Sequence, residues 1–354
     1  MSRKLNRVFL ATAVVVSAWC ASSRADVLNM GGTQNADGSW DGLASLKMVT
    51  VGNPGNAADM RYNLHLRPEG YGAVDYVYQI GKFEVTNAQW REFLTAKATL
   101  GDPYGLYSSG MAGMYGGIAR SGVGTVANPY VYTARNNDSD WDNRPVSWVS
   151  FWDVARFCNW LHNGQGDGDT EGGAYINIGS QDTFARQPGA KWWIPSEDEW
   201  YKAAYHKNNG VTGDYWDFPT GTNAIPSNQL INPDPGNNEN FEGREYTIGR
   251  PYYTTSVGEF ENSDSAYVTF DQGGNLREWT EAADFIFRCV RGGSWNTDWP
   301  QTHASTLSLR GAPTYEGNTV GVRVASISDI PEPGSITLLL CGIVAALMCR
   351  GRGK

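Results

Sequence analysis

The chain is poor in the residues that most metal and redox chemistry needs. Its 354 residues include five cysteines and four histidines. Cys20, Cys341 and Cys349 lie near the ends, so only Cys158 and Cys289 remain between. Those two are open to a single disulfide in an oxidising compartment, but sequence does not show that they meet. His65, His162, His206 and His303 are scattered, without the i, i+4 pairing of a helical metal site. There is no GxSxG elbow, no phosphate-binding loop and no repeat of fixed period. No apolar run reaches the roughly 20 residues of a membrane span. Base is scarce too: residues 26–330 hold 21 basic and 36 acidic groups, a net −15. Such a domain repels polyphosphate, so nucleic acid is not an expected partner.

What is abundant is glycine, at 42, and tryptophan, at 14. With 41% apolar residues the chain is no disordered acidic tail, and it is long enough to bury a large core. Glycine and tryptophan at these levels point to a loop-rich fold with aromatic packing rather than a helical bundle.

The two ends read as addresses. Residues 1–25 place Arg3, Lys4 and Arg7 before an apolar run, Val8 to Ala18, then Ser23-Arg24-Ala25 as a cleavage site ahead of Asp26. Trp19 is too bulky for a lipoprotein box at Cys20. Residues 331–354 run Pro331-Glu332-Pro333-Gly334-Ser335, an apolar stretch from Ile336 to Met348, then Arg350, Arg352 and Lys354. This ordered triplet resembles the PEP-CTERM sorting signal of bacteria that make exopolysaccharide. The resemblance implies export, transient attachment to the inner membrane and removal of the tail by a sorting transpeptidase. The final location would be the cell surface or extracellular matrix. A plain C-terminal anchor is the alternative.

Residues 26–45 form a lead-in, and 46–326 form the folded domain. Thr86-Asn87-Ala88-Gln89 predicts a capping box opening a helix that buries Trp90, Phe93 and Leu94. Ser150 opens a second helix, with Val154, Phe157, Cys158 and Leu161 as its apolar stripe. Ser196-Glu197-Asp198-Glu199 opens a third, burying Trp200, Ala203 and Ala204 and stopping near Gly210. Strands are expected at 48–51, 74–80, 191–194, 290–291 and 320–325, with long loops at 101–145, 163–190 and 219–262. Loops of that length are normally functional or held by something such as an ion.

Six segments follow in order: Ile80 to Asn87, Pro145 to Ser150, Trp193 to Trp200, Gly273-Gly274-Asn275-Leu276-Arg277-Glu278-Trp279, Arg291-Gly292-Gly293-Ser294-Trp295, and Gly321-Val322-Arg323. Together they resemble the formylglycine-generating enzyme, or sulfatase-modifying factor, family. The resemblance implies an irregular single α+β domain related to the C-type lectin fold, with little regular structure, long loops and bound calcium.

The best-known members oxidise a sulfatase cysteine through copper(I) held by two thiols. The matching positions here are Thr297 and Thr302, and copper(I) selects soft sulfur ligands. Copper is therefore not expected and no catalytic residue is assigned. A family bridge from the second helix to the segment after Gly321-Val322-Arg323 is also lost, because Val324 stands there. Calcium is expected from the resemblance at Asp271, Gly274, Leu276 and Glu278, which match a family site of two side-chain oxygens and two carbonyls. Asn240 and Phe241 are the nearest counterparts of a second site. The run Asp167-Gly168-Asp169-Thr170-Glu171 lacks full EF-hand spacing and reads better as a solvated turn.

Ser294, Trp295 and Trp299, with Tyr252 and Tyr253, are candidates for an exposed groove that takes a glycan or peptide. Trp192, Trp193, Trp200 and Trp279 are the matching candidates for core. The expected function is a calcium-stabilised, non-catalytic binding module of the cell surface or exopolysaccharide matrix. A working oxidoreductase, on a sulfatase cysteine or through another metal, is the alternative.

Overall fold

All three helices begin where their caps stand in the sequence. In the computed structural model, which describes residues 32–34, 40–42, 46–62 and 65–327, α1 is Asn87–Lys97, α2 is Phe151–His162 and α3 is Glu197–Tyr205. Each has a closed capping box: Thr86 with Gln89, Ser150 with Asp153, and Ser196 with Glu199. The third residue reaches back to the cap, so the signal is local and needs no tertiary help. The end of α3 departs from expectation. It stops at Tyr205, with His206 extended, five residues short of Gly210, because the buried His206 ring turns to Tyr267 Oη (2.9 Å) and the Thr212 carbonyl (3.1 Å).

Strands β1 (Met48–Val51), β2 (Tyr78–Gly81), β3 (Trp192–Trp193), β4 (Arg277–Asp284), β5 (Phe287–Arg291), β6 (Leu309–Gly311), β7 (Val320–Gly321) and β8 (Ala325–Ile327) build two four-stranded sheets. The first has the order β1-β2-β8-β3 and is wholly antiparallel. The second has the order β6-β5-β4-β7, and only its β4–β7 pair is parallel. Three expectations are corrected. The strand expected over 74–80 begins only at Tyr78; the one expected over 320–325 is two strands, separated by Val322, Arg323 and Val324; and β4, the longest strand described, was not expected.

Between α1 and α2 lies an aromatic layer. Trp90, Phe93, Phe157 and Trp160 are buried, with ring centroids 5.2–5.3 Å apart in four of their pairs. Cys158 is buried beside them, and both Cys158 and Cys289 are free thiols.

The long loops are tied by short strand pairs and by side chains. In 101–145, Ile118–Ser121 pairs with Val131–Ala134, and Arg120 lies over the rings of Tyr107 and Tyr130. In 163–190, Tyr175–Ile176 pairs with Ala185–Arg186, and Asn159 of α2 bonds the backbone of Thr170 and Tyr175. In 219–262 the Asp234 carboxylate accepts from Gly236, Asn238, Asn262 and Ser263 at 2.6–3.0 Å. Burial pushes that carboxyl up, but these bonds favour the charged form and leave it below its ordinary range. The signals at 1–25 and 331–354 lie outside the described residues. Among the described residues no helix is long and apolar enough to cross a membrane.

Candidate functional site

The Arg291–Trp295 turn leaves β5 through two glycines with positive φ, Gly292 (99°) and Gly293 (71°). A Cβ on Gly292 would lie 2.7 Å from the Gln272 carbonyl oxygen, so backbone there approaches as closely as only glycine allows. Beyond the turn every hydroxyl is engaged. Ser294 Oγ donates to Asn296 Oδ1 (2.9 Å), and Thr297 Oγ1 accepts from Ser294 N (2.9 Å) while donating to Ser294 O (3.0 Å). Thr302 Oγ1 donates to the Trp299 carbonyl (3.0 Å), and Tyr205 Oη holds the Thr302 carbonyl (2.8 Å). Thr297 and Thr302 thus close turns, and Ser294 and Thr302 are buried.

The expected aromatic groove is rearranged. Trp295 and Tyr253 are buried, not exposed, because the Trp295 Nε1 reaches the Asn318 carbonyl (3.1 Å) and its ring packs on Leu276. Above them lie two rings that sequence did not single out. Tyr115 stacks on Trp295 (5.2 Å, 23°), and Tyr246 stands edge-on to Tyr253 (5.4 Å) with 42% of its surface exposed. Trp299 is half-buried against Phe218, and Tyr252 donates to Asp138 (2.8 Å). The tryptophans expected in the core, Trp192, Trp193, Trp200 and Trp279, are all buried.

Beneath the turn is an acidic floor. Glu278 on β4 pairs with Arg323 (2.7 Å), both fully buried, and also accepts from Trp200 Nε1 (2.6 Å). Arg323 spends its other donors on the Gly81 and Phe270 carbonyls. Glu84 accepts from Asn275 Nδ2 (2.9 Å) and Leu276 N (3.1 Å), while Asp271 accepts from Gly258 N (2.6 Å). Glu239 is buried with no hydrogen-bond partner on either carboxylate oxygen.

Burial, then the charges of Asp271 and Glu278, hold the Glu84 carboxyl well above its ordinary range. Burial pushes Asp271 up to about 6, against the pull of Gly258 N–H and Arg323. It pushes Glu239 up to about 8, offset in part by the nearby Thr302 hydroxyl and reinforced by Asp271. Glu278, Glu84 and Asp271 share the one guanidinium of Arg323, and Glu239 interacts with Asp271 but not with Arg323.

The structure brings the expected calcium residues together around this floor, but unequally. Asn240 pairs with Gly274, and its carbonyl accepts from Asn275 N (2.8 Å). The Phe241 carbonyl accepts from Thr247 and Asn228, and Leu276 lies in the Trp295 cluster. Glu278 has its oxygens filled by Arg323 and Trp200. Glu84 and Glu239 were missed; the only trace of Glu84 is an acid between Phe83 and Val85 in an apolar segment. In the 167–171 run, Glu171 pairs with Arg156 (2.6 Å). Among the described residues no three His, Cys, Asp or Glu side chains assemble as a metal-binding group.

Residues 48–327 match the pattern of the sulfatase-modifying factor enzyme 1-like domain. Treponema denticola variable protein 1 is similar in structure, at 17% identity and a TM-score of 0.50, covering 84% of this chain and 99% of that one. PvdO from Pseudomonas aeruginosa has 17% identity and a TM-score of 0.46, covering 85% and 97%. CarF has 17% identity and a TM-score of 0.45, covering 80% and 99%. No curated protein matches the chain. The fold is the irregular single α+β domain that the sequence resemblance implied.

Proposed function

The chain belongs to the sulfatase-modifying factor enzyme 1-like family, and from that premise we propose that it is a non-catalytic, calcium-stabilised binding module. The observation that carries this reading is the state of Thr297 and Thr302. Both stand at the copper-thiol positions, and both give their hydroxyl hydrogens to backbone carbonyls. Hydroxyl oxygen is the wrong donor for copper(I), so the residues present do not fit that ion. The two cysteines of the described domain are buried, and burial pushes both thiols up, away from the reactive thiolate.

Calcium fits the chemistry of the acidic floor. A hard divalent cation takes oxygen ligands, and it would offset two of the charges that Arg323 leaves uncompensated. Bound there, it would neutralise carboxylates and join the 219–262 loop to the start of β4.

Recognition falls to the aromatic cluster above the turn. Tyr115 and Tyr246 present flat apolar faces, with Trp295 and Tyr253 as a rigid backing. Such platforms suit the apolar faces of sugar rings, and rings held by packing lose little entropy on binding. We assign an exopolysaccharide as the ligand class and Tyr246 as its principal contact, with a peptide as the other class the platform suits. Export by residues 1–25, transient inner-membrane attachment and removal of residues 331–354 by a sorting transpeptidase complete the reading. The final location is the cell surface or extracellular matrix.

Three experiments test it. Polysaccharide retention on a glycan array or matrix column should fall at least tenfold in Tyr246→Ala without a fall in melting temperature. Equal retention by the variant removes the platform. Copper(I) titration with a cysteine peptide should give neither stoichiometric binding nor formylglycine; formation of formylglycine establishes the oxidoreductase instead. Intact mass of the cell-surface form should begin at Asp26 and lack the basic tail.

A further inference from the structure

Unpartnered buried oxygens gather in one stretch of this domain. Asn238 Oδ1, both carboxylate oxygens of Glu239, and Asn240 Oδ1 are consecutive acceptors with no donor. Asn238 and Glu239 are 2% and 3% exposed. A buried acceptor without a partner is costly, more so when charged, so such a cluster calls for an electropositive occupant.

Asn238 and Glu239 line a small cavity with Asp271 and Gly273. Its volume is about 10 Å³, room for one water-sized body. The Asn238 amide is fixed in orientation, since its Nδ2 donates to Asp234 Oδ1 (2.6 Å) and the Gly236 carbonyl (3.3 Å). Its oxygen is left over. Gly273 makes the space, because a Cβ there would lie 2.1 Å from Glu239 Oε1. The Thr302 hydroxyl is nearby, but its hydrogen goes to Trp299.

We propose that this cavity is a site for one hard divalent cation of the calcium class, held by the Glu239 and Asp271 carboxylates and the Asn238 carboxamide oxygen. The inference rests on the calcium reading above but moves the cation. Glu278 is already neutralised by Arg323, whereas Glu239 has no cationic partner and only the Thr302 hydroxyl near it. Without a cation, burial pushes the Glu239 carboxyl up to about 8 and keeps it protonated at neutral pH. A divalent cation replaces that proton and balances the two carboxylates. Oxygen-only ligands disfavour copper and zinc. The irregular mixture of carboxylate and carboxamide suits calcium better than magnesium, which demands near-octahedral geometry and holds its waters.

The test uses the full-length protein, stripped with a chelator and titrated with calcium by calorimetry and with terbium by tryptophan-sensitised luminescence. Glu239→Gln, which keeps the shape and removes the charge, should weaken one calcium-binding event at least tenfold. Its chelator-treated melting temperature should equal or exceed that of the unaltered protein. Calcium binding unchanged by the substitution overturns the site. Terbium-soaked crystals of the unaltered protein decide the case even if the variant does not fold. An anomalous peak between Glu239 and Asp271 supports the assignment, and a peak at Glu278 with Arg323 displaced overturns it. Absence of any calcium binding also ends this inference, and leaves the polysaccharide platform to its own assay.

Discussion

The aromatic layer between α1 and α2 and the acidic floor under the Gly292-Gly293 turn are equally buried but satisfied in opposite ways. In the layer, Trp90, Phe93, Phe157 and Trp160 need only shape from one another. In the floor, Glu84, Glu239, Asp271 and Glu278 each need a positive partner; one guanidinium, Arg323, serves Glu278, Glu84 and Asp271, and Glu239 is left without one. Apolar packing can be complete within two helices. A buried charge cannot, because its counter-charge comes from elsewhere in the chain or from solution.

The sharpest way to break the contrast is Arg323→Met. It leaves Glu278 buried and unpaired, and should cost about 3–5 kcal/mol of stability in urea denaturation. Adding Glu278→Leu to that variant should recover much of the loss, since the uncompensated charge goes with it. Next comes calcium removal. With free calcium at a hundredfold excess over its Kd, chelation should cost about 2.7 kcal/mol, read as a lower melting temperature. The change should leave the aromatic layer's contribution untouched.

Phe157→Leu probes the other region and should cost about 1 kcal/mol, with the same loss in calcium and in chelator. A calcium-dependent loss would mean that the two regions are coupled. Ser150→Ala, which opens the capping box of α2, should cost a similar or slightly smaller amount, about 1 kcal/mol.

A pH-dependent effect concerns Lys202 of α3, whose ammonium is pushed down to about 8 by burial. A lysine with a depressed folded pKa favours the neutral form. Its contribution is therefore fullest above the unfolded value near 10.4 and is lost as pH falls toward 8. Stability of the unaltered protein should rise between pH 8 and pH 10 relative to Lys202→Met, measured by denaturation at both values.

Much of the helical framework could be read in advance, because a capping box spans four residues and an apolar stripe only two turns. Thr86, Ser150 and Ser196 carry their own instructions. Strand β4 was hidden for the contrasting reason. Arg277-Glu278-Trp279-Thr280-Glu281 shows charge where a buried strand usually shows Val or Ile. Glu278 is tolerated inside only through Arg323, 45 residues further on. The candidate site was legible as a set of positions but not as a state. Trp295 was found, yet its burial depends on Tyr115, Tyr253 and Leu276, and the rings left at the surface belong to loops with no pattern of their own.

Sequence alone determined the family resemblance, the helix starts and the replacement of both copper thiols by threonine. Each of these depends on residue identity at a fixed local spacing. Tertiary structure decided which carboxylates are answered and which are not. Glu278 and Glu239 are the same residue type, and only the arrival of Arg323 beside one of them, with Gly273 making room for the other, sets them apart. The physical reason is that compensation of a buried charge is a property of distance in space, to which distance along the chain gives no guide.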